Sequence, residues 1–414
     1  MQDFAARPGG VAFVQAVGGA GLGMTDVRAK QSLQGAKVSS PILTSAAARR
    51  RMRKALLHWF DRHRRELPWR EKTGTGLPRL SGGSQHEQPA RPGDTEGHVY
   101  RVWISEIMLQ QTRVAAVLEH YGKFLQRFPD VRSLAKARLA SVLAAWSGLG
   151  YYRRARMMHE AARQIVCERG GKFPEDSDGW RQLPGIGRYT AAAIASICYS
   201  ERSAVVDGNV RRVLGRFLGV SGSMVWAWAN RLLSWRRPGD FNQAMMELGA
   251  TLCTPRAPRC EICPISRRCV TRAVFVAGGP TTSVLAPPLG SGRNGMPARM
   301  AAPSRRQRGE LSYLLLATGK QVLLIRRGEQ ETVMPGMWEL PQAPSQQMAH
   351  FTLRHAIMDT DYVVRVIQPV TSDTHSYPAK SSAKWFSVKR AAKLPLTGVT
   401  RKVLRHAGLI DQIG

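Results

Sequence analysis

Apolar positions recur at a helical period from Arg49 to Trp69, where Leu56, Leu57, Trp59 and Phe60 share one face. The same period returns in segment after segment between Tyr100 and Phe275, with short loops between and no sustained strand alternation. That stretch reads as an all-α domain. After residue 310 the pattern changes. Leu311–Leu316, Gln321–Arg326, Tyr362–Ile367 and Lys384–Val388 are short β-type runs, Thr318-Gly319-Lys320 reads as a hairpin turn, and one short helix is expected from Thr400. The predicted fold class is mainly α, with a smaller C-terminal α+β domain. Stretches without a period divide the chain. Residues 1–48 read as a disordered tail, 71–98 as a flexible insertion and 276–309 as a basic linker. A helical domain at 49–275 and an α+β domain at 310–414 remain.

Charge narrows the partner. Among 414 residues, 61 are Lys or Arg and 29 Asp or Glu, a formal net charge of +32. Such an excess favours a polyanion, and nucleic acid is the default. No run approaches the ~20 apolar residues of a membrane span. Val11–Gly23 is Gly-rich and poorly shaped as a signal peptide. The expectation is a soluble, monomeric protein of a reducing compartment such as the cytoplasm.

Four cysteines are spaced Cys253-x6-Cys260-x2-Cys263-x5-Cys269. Thiolates at short spacing suit a soft metal or an iron–sulfur cluster, and Pro255, Pro258 and Pro264 would stiffen the loop. A disulfide pair is disfavoured inside a cell. Zinc is the rival, although zinc ribbons usually carry two C-x2-C knuckles and this loop has one. Spacing alone leaves the two metals about even. Arg256, Arg259, Arg267 and Arg268 around the loop would suit phosphate contact, whereas Cys167 and Cys198 read as inert core thiols.

Upstream, Leu183-Pro184-Gly185-Ile186-Gly187 joins one helix to a second starting at Arg188. Gly185 and Gly187 permit positive φ and close approach of a partner, and the amides opening the second helix could hold a phosphate. This reads as a helix-hairpin-helix; an ordinary helix corner is the bland alternative. Asp207, in Val205-Val206-Asp207-Gly208-Asn209, would by itself read as an N-cap. Glu106 lies on a helix that is apolar almost all round, so desolvation would keep its carboxyl protonated, as a general acid requires.

In this order the hairpin, Asp207 and the cysteine loop resemble the endonuclease III superfamily of base-excision DNA glycosylases. Closer still is the likeness to adenine DNA glycosylases of the MutY type. It is carried by LPWR (67–70), VWISEIMLQQTRV (102–114), GLGYYRRAR (148–156), LPGIGRYTAAAI (183–194), VVDGNVRRVLGR (205–216), FNQAMMELGA (241–250) and the cysteine loop. It covers about residues 50–275 densely and 310–414 weakly. The resemblance implies a [4Fe–4S] cluster on Cys253, Cys260, Cys263 and Cys269. It implies that Glu106 protonates adenine at N7 and that Asp207 stabilises the sugar cation, assisted by Tyr189 and Asn209. Gln111 and Tyr151 would wedge into the duplex, with Thr112 near the target base and the hairpin glycines on the DNA. Bifunctional relatives carry Lys where Tyr189 stands, so the resemblance implies a monofunctional enzyme. Its partner would be double-stranded DNA with adenine opposite 8-oxoguanine or guanine.

Residues 311–342 resemble the start of the Nudix-like domain of these enzymes, without the Nudix catalytic box. The family's lesion-reading Phe-Ser-His stretch has its nearest counterpart in Phe351-Thr352-Leu353, where Thr352 keeps a hydroxyl and Leu353 replaces the His; equally, Phe351 and Leu353 would fit the buried face of a strand. Arg153, Arg154, Arg156, Arg211, Arg212 and Arg216 read as a phosphate-facing surface. Two other readings compete: an endonuclease III-like glycosylase/lyase for oxidised pyrimidines, and a non-catalytic iron–sulfur DNA-binding protein. Tyr189 argues against the first, Glu106 with Asp207 against the second.

Overall fold

A computed structural model of the chain describes residues 45–70, 92–276, 307–331, 333–344, 347–357, 360–368 and 382–410. The tail before Ser45, most of the 71–98 insertion and most of the linker lie outside the described residues. Helix α1 (Ala46–His63) begins where the Ser45 hydroxyl accepts the Ala48 amide at 3.1 Å, inside the stretch expected as tail. Helix α2 (Pro92–Leu109) likewise begins within the expected insertion, at a proline, whose fixed φ suits a first helical turn.

The helical part has two cores. One gathers α2, α3 (Val114–Arg127), α4 (Val131–Lys136), α5 (Leu139–Ala145), α6 (Arg153–Arg169), α7 (Ser177–Arg181) and α8 (Arg188–Tyr199). Its centre is aromatic: Trp103, Trp146, Trp180 and Phe124 are fully buried, and the Trp103 and Trp180 rings lie 6.0 Å apart. The other gathers α1, α9 (Gly208–Leu218), α10 (Ser223–Leu232) and α11 (Pro238–Thr251) around Leu56, Phe60, Phe217 and Trp228. Helix α11 meets α8 so closely that a Cβ on Gly239 would lie 2.5 Å from the Ser196 carbonyl oxygen. Glu247 on α11, 1% exposed, accepts Arg65 at 2.6 Å and Arg70 at 2.9 Å, tying the α1 exit to the same helix. The cysteine loop follows α11, and α12 (Val270–Val276) closes it.

The C-terminal part holds two small sheets. Strands β1 (Gln307–Leu314), β6 (Thr360–Ile367) and β5 (Phe351–Ile357) form one, with β1 parallel and β5 antiparallel to β6. In the other, β3 (Gln321–Arg326) pairs with β2 (Ala317–Thr318), β4 (Trp338–Glu339) and β7 (Ala383–Ser387). Short α13 (Val388–Ala391) and α14 (Gly398–His406) complete a third core around Val364, Val366, Leu396 and Val403.

Several boundaries shift from the sequence reading. Strand β1 reaches back into the expected linker, where Gly309 faces Tyr362 and its ring covers the glycine. Strand β5 was not among the expected runs. Phe351 and Leu353 pack inward on it, and Thr352 faces out. Cys167 is exposed rather than a core thiol. Among the described residues no helix is long and apolar enough to cross a membrane.

Two glycines should respond differently to an added methyl group. Gly239→Ala should destabilise by about 1–3 kcal/mol, because backbone fills the space its Cβ needs. At Gly187 nothing lies within 4 Å of that position, so Gly187→Ala should leave thermal unfolding unchanged. Equal melting temperatures for both variants would contradict the close α8–α11 approach.

Candidate active site

Glu106 and Asp207 stand on helices of different cores, yet lie near enough for the Asp207 carboxylate to act on the Glu106 carboxyl. Glu106 projects from the last turns of α2 and is 7% exposed. Burial pushes its carboxyl up to about 7, the neighbouring Asp207 carboxylate adds to the rise, and a hydrogen bond from Tyr189 and the Arg70 guanidinium oppose it. The Tyr189 hydroxyl approaches both the Glu106 carboxyl and the Met246 sulfur, the latter at 3.2 Å. Burial first, and the two carboxylates next, raise its own pKa well above the ordinary value. The hairpin helix is tied to Glu106's helix by Gln110, whose amide donates to the Thr190 hydroxyl at 3.1 Å.

Asp207 is the N-cap of α9, so the bland reading of this residue is also correct. One carboxylate oxygen accepts the Val210 amide at 2.6 Å, the other the Asn209 side-chain amide at 2.9 Å. Capping fixes the carboxylate in one orientation. Asn209 in turn accepts Arg212 at 2.8 Å, and Arg212 also donates to the carbonyls of Gly249 at 2.7 Å and Cys253 at 2.8 Å. Gly249 has to lack a side chain here: its Cβ would fall 2.6 Å from that of Asn209.

Cys253, Cys260, Cys263 and Cys269 all line one small pocket of about 30 Å³, with Arg216, Arg259 and Arg272 among the lining residues. All are free thiols. Among the described residues no group of three His, Cys, Asp or Glu is arranged to hold a single metal ion. Arg216, 4% exposed, braces this loop by donating to the carbonyls of Thr254 at 2.7 Å and Pro255 at 2.8 Å. Arg256, Arg259, Arg267 and Arg268 stay exposed around it.

The segment expected to wedge into DNA is a strained double turn. Gln111 (φ 56°) and Tyr151 (φ 48°) both hold left-handed backbone, flanked by Gly148 (φ 112°) and Gly150 (φ 68°). For residues with a Cβ this costs on the order of 1–3 kcal/mol each, so the surroundings must enforce it. Arg154 does so. Its guanidinium donates to the carbonyls of Ile107 at 2.9 Å, Met108 at 2.8 Å, Gln110 at 2.5 Å, Leu149 at 3.1 Å and Gly150 at 3.2 Å, and to the Thr112 hydroxyl at 3.0 Å. It also lies 5.4 Å under the Tyr151 ring, which is 53% exposed. Gly185 (φ +79°) makes the hairpin turn, and Gly187 lies open at the start of α8.

Part of the expected phosphate surface is overturned. Arg154, Arg212 and Arg216 turn inward onto carbonyls, and Arg156 donates to the Pro335 carbonyl. A burst of Arg codons reads alike whether the guanidinium faces solvent or caps a loop. Arg153 is exposed and Arg211 half-buried.

A hairpin opening a helix, a capped aspartate and a buried acid are thus brought together by the helical part. Residues 104–227 match the HhH-GPD superfamily base excision DNA repair protein family. The chain is similar over most of its length to adenine DNA glycosylases, the MutY type. It is 34% identical to that of Homo sapiens over 370 residues, 80% of this chain and 65% of the relative. Rattus norvegicus has one 44% identical over 228 residues, 52% of this chain and 41% of the relative. The Schizosaccharomyces pombe protein is 41% identical over 229 residues, 53% of this chain and 48% of the relative. The chain thus spans less than two thirds of the length of these relatives. Among solved structures, a thermostable thymine-DNA glycosylase aligns at 26% identity and TM-score 0.46, covering 54% of this chain and 96% of that one.

The raised Glu106 pKa has a stability consequence. The folded protein holds this proton up to about 7, whereas an unfolded Glu releases it near 4.5, so stability falls as pH rises across that window. Glu106→Gln does not titrate. Its unfolding free energy should gain on the wild type between about pH 5 and about pH 8, by about 3 kcal/mol at most. Denaturant titrations at both pH values measure the gap. A gap independent of pH would show that Glu106 is not desolvated.

Proposed function

We propose that this chain is a monofunctional DNA glycosylase of base excision repair, hydrolysing the N-glycosidic bond of adenine opposite 8-oxoguanine or guanine in duplex DNA. The observation that carries this is a pair of carboxyl groups: Glu106, buried and held up to about 7, and near it Asp207, fixed by its capping bond. Two carboxyl groups in different environments can take opposite roles.

The chemistry follows from those environments. The protonated Glu106 donates to adenine N7 as the C1′–N9 bond breaks, and the bonding pair leaves on the base. The sugar becomes an oxocarbenium ion, whose positive charge the Asp207 carboxylate faces. Water adds at C1′ and loses its proton, leaving an abasic site. Tyr189 and Asn209 hold the two carboxyl groups in place. Tyr189 has no amine, so no Schiff base forms there and strand cleavage is not part of the reaction.

The target base must first leave the stack. Tyr151, exposed on its strained turn, and Gln111 would fill the gap, with Thr112 beside them. The amides at Gly185 and Gly187 would hold a backbone phosphate at the start of α8. The C-terminal domain is read as Nudix-like and lesion-facing, and Thr352, outward on β5, offers the hydroxyl for the opposing base. Cys253, Cys260, Cys263 and Cys269 line one pocket and would supply four thiolates to the [4Fe–4S] centre that the likeness to adenine DNA glycosylases implies. Such a centre would crosslink the loop, and Arg212 would pass that rigidity to Asn209 and Asp207. A cytoplasmic, monomeric repair enzyme is the reading that accords with the charge.

Labelled duplexes containing A:8-oxoguanine, A:G and thymine glycol:A, treated with and without alkali, test this. Strand breaks at the first two only after alkali are expected. Cleavage of thymine glycol without alkali would instead support an endonuclease III-like lyase, and inertness toward every duplex a binding protein. Glu106→Gln should lower adenine release by at least about 10²-fold while leaving duplex binding intact. The wild-type rate should fall as pH rises through about 7, where Glu106 loses the proton it donates.

A further inference from the structure

The Tyr151 turn does not stand on the helical domain alone. Its two feet, Ser147 and Tyr152, are 3% and 5% exposed, and both hydroxyls face the C-terminal domain. The Tyr152 hydroxyl donates to the Leu396 carbonyl at 3.2 Å. The Ser147 hydroxyl lies 3.4 Å from the same carbonyl and 3.3 Å from the Tyr152 hydroxyl. Arg401 on α14 completes the group: Nε donates to the Ser147 hydroxyl at 2.6 Å and a terminal nitrogen to the Leu394 carbonyl at 3.3 Å.

Arg401 is 7% exposed, and both of these acceptors are neutral oxygens. A guanidinium taken out of water for neutral acceptors is costly, so it is held only where its geometry is well satisfied. The junction around it is dry and specific. Met337, fully buried, joins the core of the helical domain, and Arg156 reaches the Pro335 carbonyl. On its far side α14 is anchored to the sheets. The Thr397 amide donates to the Trp338 carbonyl at 2.9 Å, the Leu340 amide to the Thr400 hydroxyl at 3.0 Å, and His406 packs 4.6 Å from Phe351 of β5. One short helix therefore touches both the strand that carries Thr352 and the foot of the turn that carries Tyr151.

We propose that Arg401 is a positioning residue for strand insertion: it clamps Ser147, and through Ser147 and Tyr152 makes the Tyr151 turn depend on the docked C-terminal domain. This rests on reading Tyr151 as the wedge. Arg401 touches no reacting atom. Its effect is on whether the wedge is in place when DNA arrives, so it should alter insertion and leave the Glu106 proton alone.

The test uses the full-length, metal-loaded protein and a duplex with fluorescent 2-aminopurine beside an A:8-oxoguanine pair, which brightens when its neighbours unstack. Arg401→Met should lose most of the brightening and slow single-turnover adenine release by about tenfold or more. The midpoint of the pH–rate profile should not move. Arg401→Lys should recover part of the signal, and Arg401→Met with Tyr151→Ala should be no worse than Tyr151→Ala alone. Wild-type brightening in Arg401→Met, or additive losses in the double variant, would overturn the clamp. Should Arg401→Met not fold, Tyr152→Phe removes one hydroxyl and carries the same expectation; a wild-type response from it overturns the proposal. The signal separates this inference from the proposed activity. A wild-type protein that brightens the probe but releases no adenine refutes the activity and leaves the clamp to be judged by its variants. One that never brightens it refutes wedge and clamp together.

Discussion

A carboxyl group buried beside another carboxylate is the constraint around which the helical domain is arranged. Glu106 can stay protonated near neutral pH only while water is kept from it, and that needs the two cores packed against each other around it. The close α8–α11 contact at Gly239, the Glu247 carboxylate shared by Arg65 and Arg70, and the packing of Tyr189 against Met246 all serve this closure. Asp207 needs the reverse treatment, a charge kept and aimed. Its two capping bonds supply that, and Arg212 extends the support to the cysteine loop.

Much of the site was legible because its residues stand in local motifs. The LPGIG turn, the VVDGN segment before a helix and the four clustered cysteines each put chemistry within a few residues of one another. The apolar surroundings of Glu106 on α2 were readable from helical period alone, and they account for its burial. Beginnings of elements were harder. Helices α1 and α2 and strand β1 each start inside stretches whose Gly and Pro content suggested coil, because a cap, a proline in the first turn or a covering ring can recruit such residues into regular structure.

What stayed hidden depends on distance along the chain. Arg154 and Arg401 look in sequence like any others among the 61 basic residues, yet one braces the Tyr151 turn from within and the other reaches its foot from the C-terminal part. Nothing local marks a guanidinium as inward-facing; only the carbonyls it finds do so. Strand β5 is the opposite case. Its alternation is regular enough to suggest a strand with Phe351 and Leu353 inward, and only the likeness to a lesion-reading loop competes with that reading.

Tyr151 carries a further implication for anyone wishing to harden this protein. At φ 48° the backbone would prefer glycine, and Gln111 at 56° is in the same position. Selection for heat resistance alone would favour glycine at both sites, relieving strain and removing the two side chains read as entering the duplex. Stability and the proposed insertion into the duplex therefore pull in opposite directions at these two positions. A hardened variant would have to take its gain elsewhere, for example at surface helix positions remote from the turn.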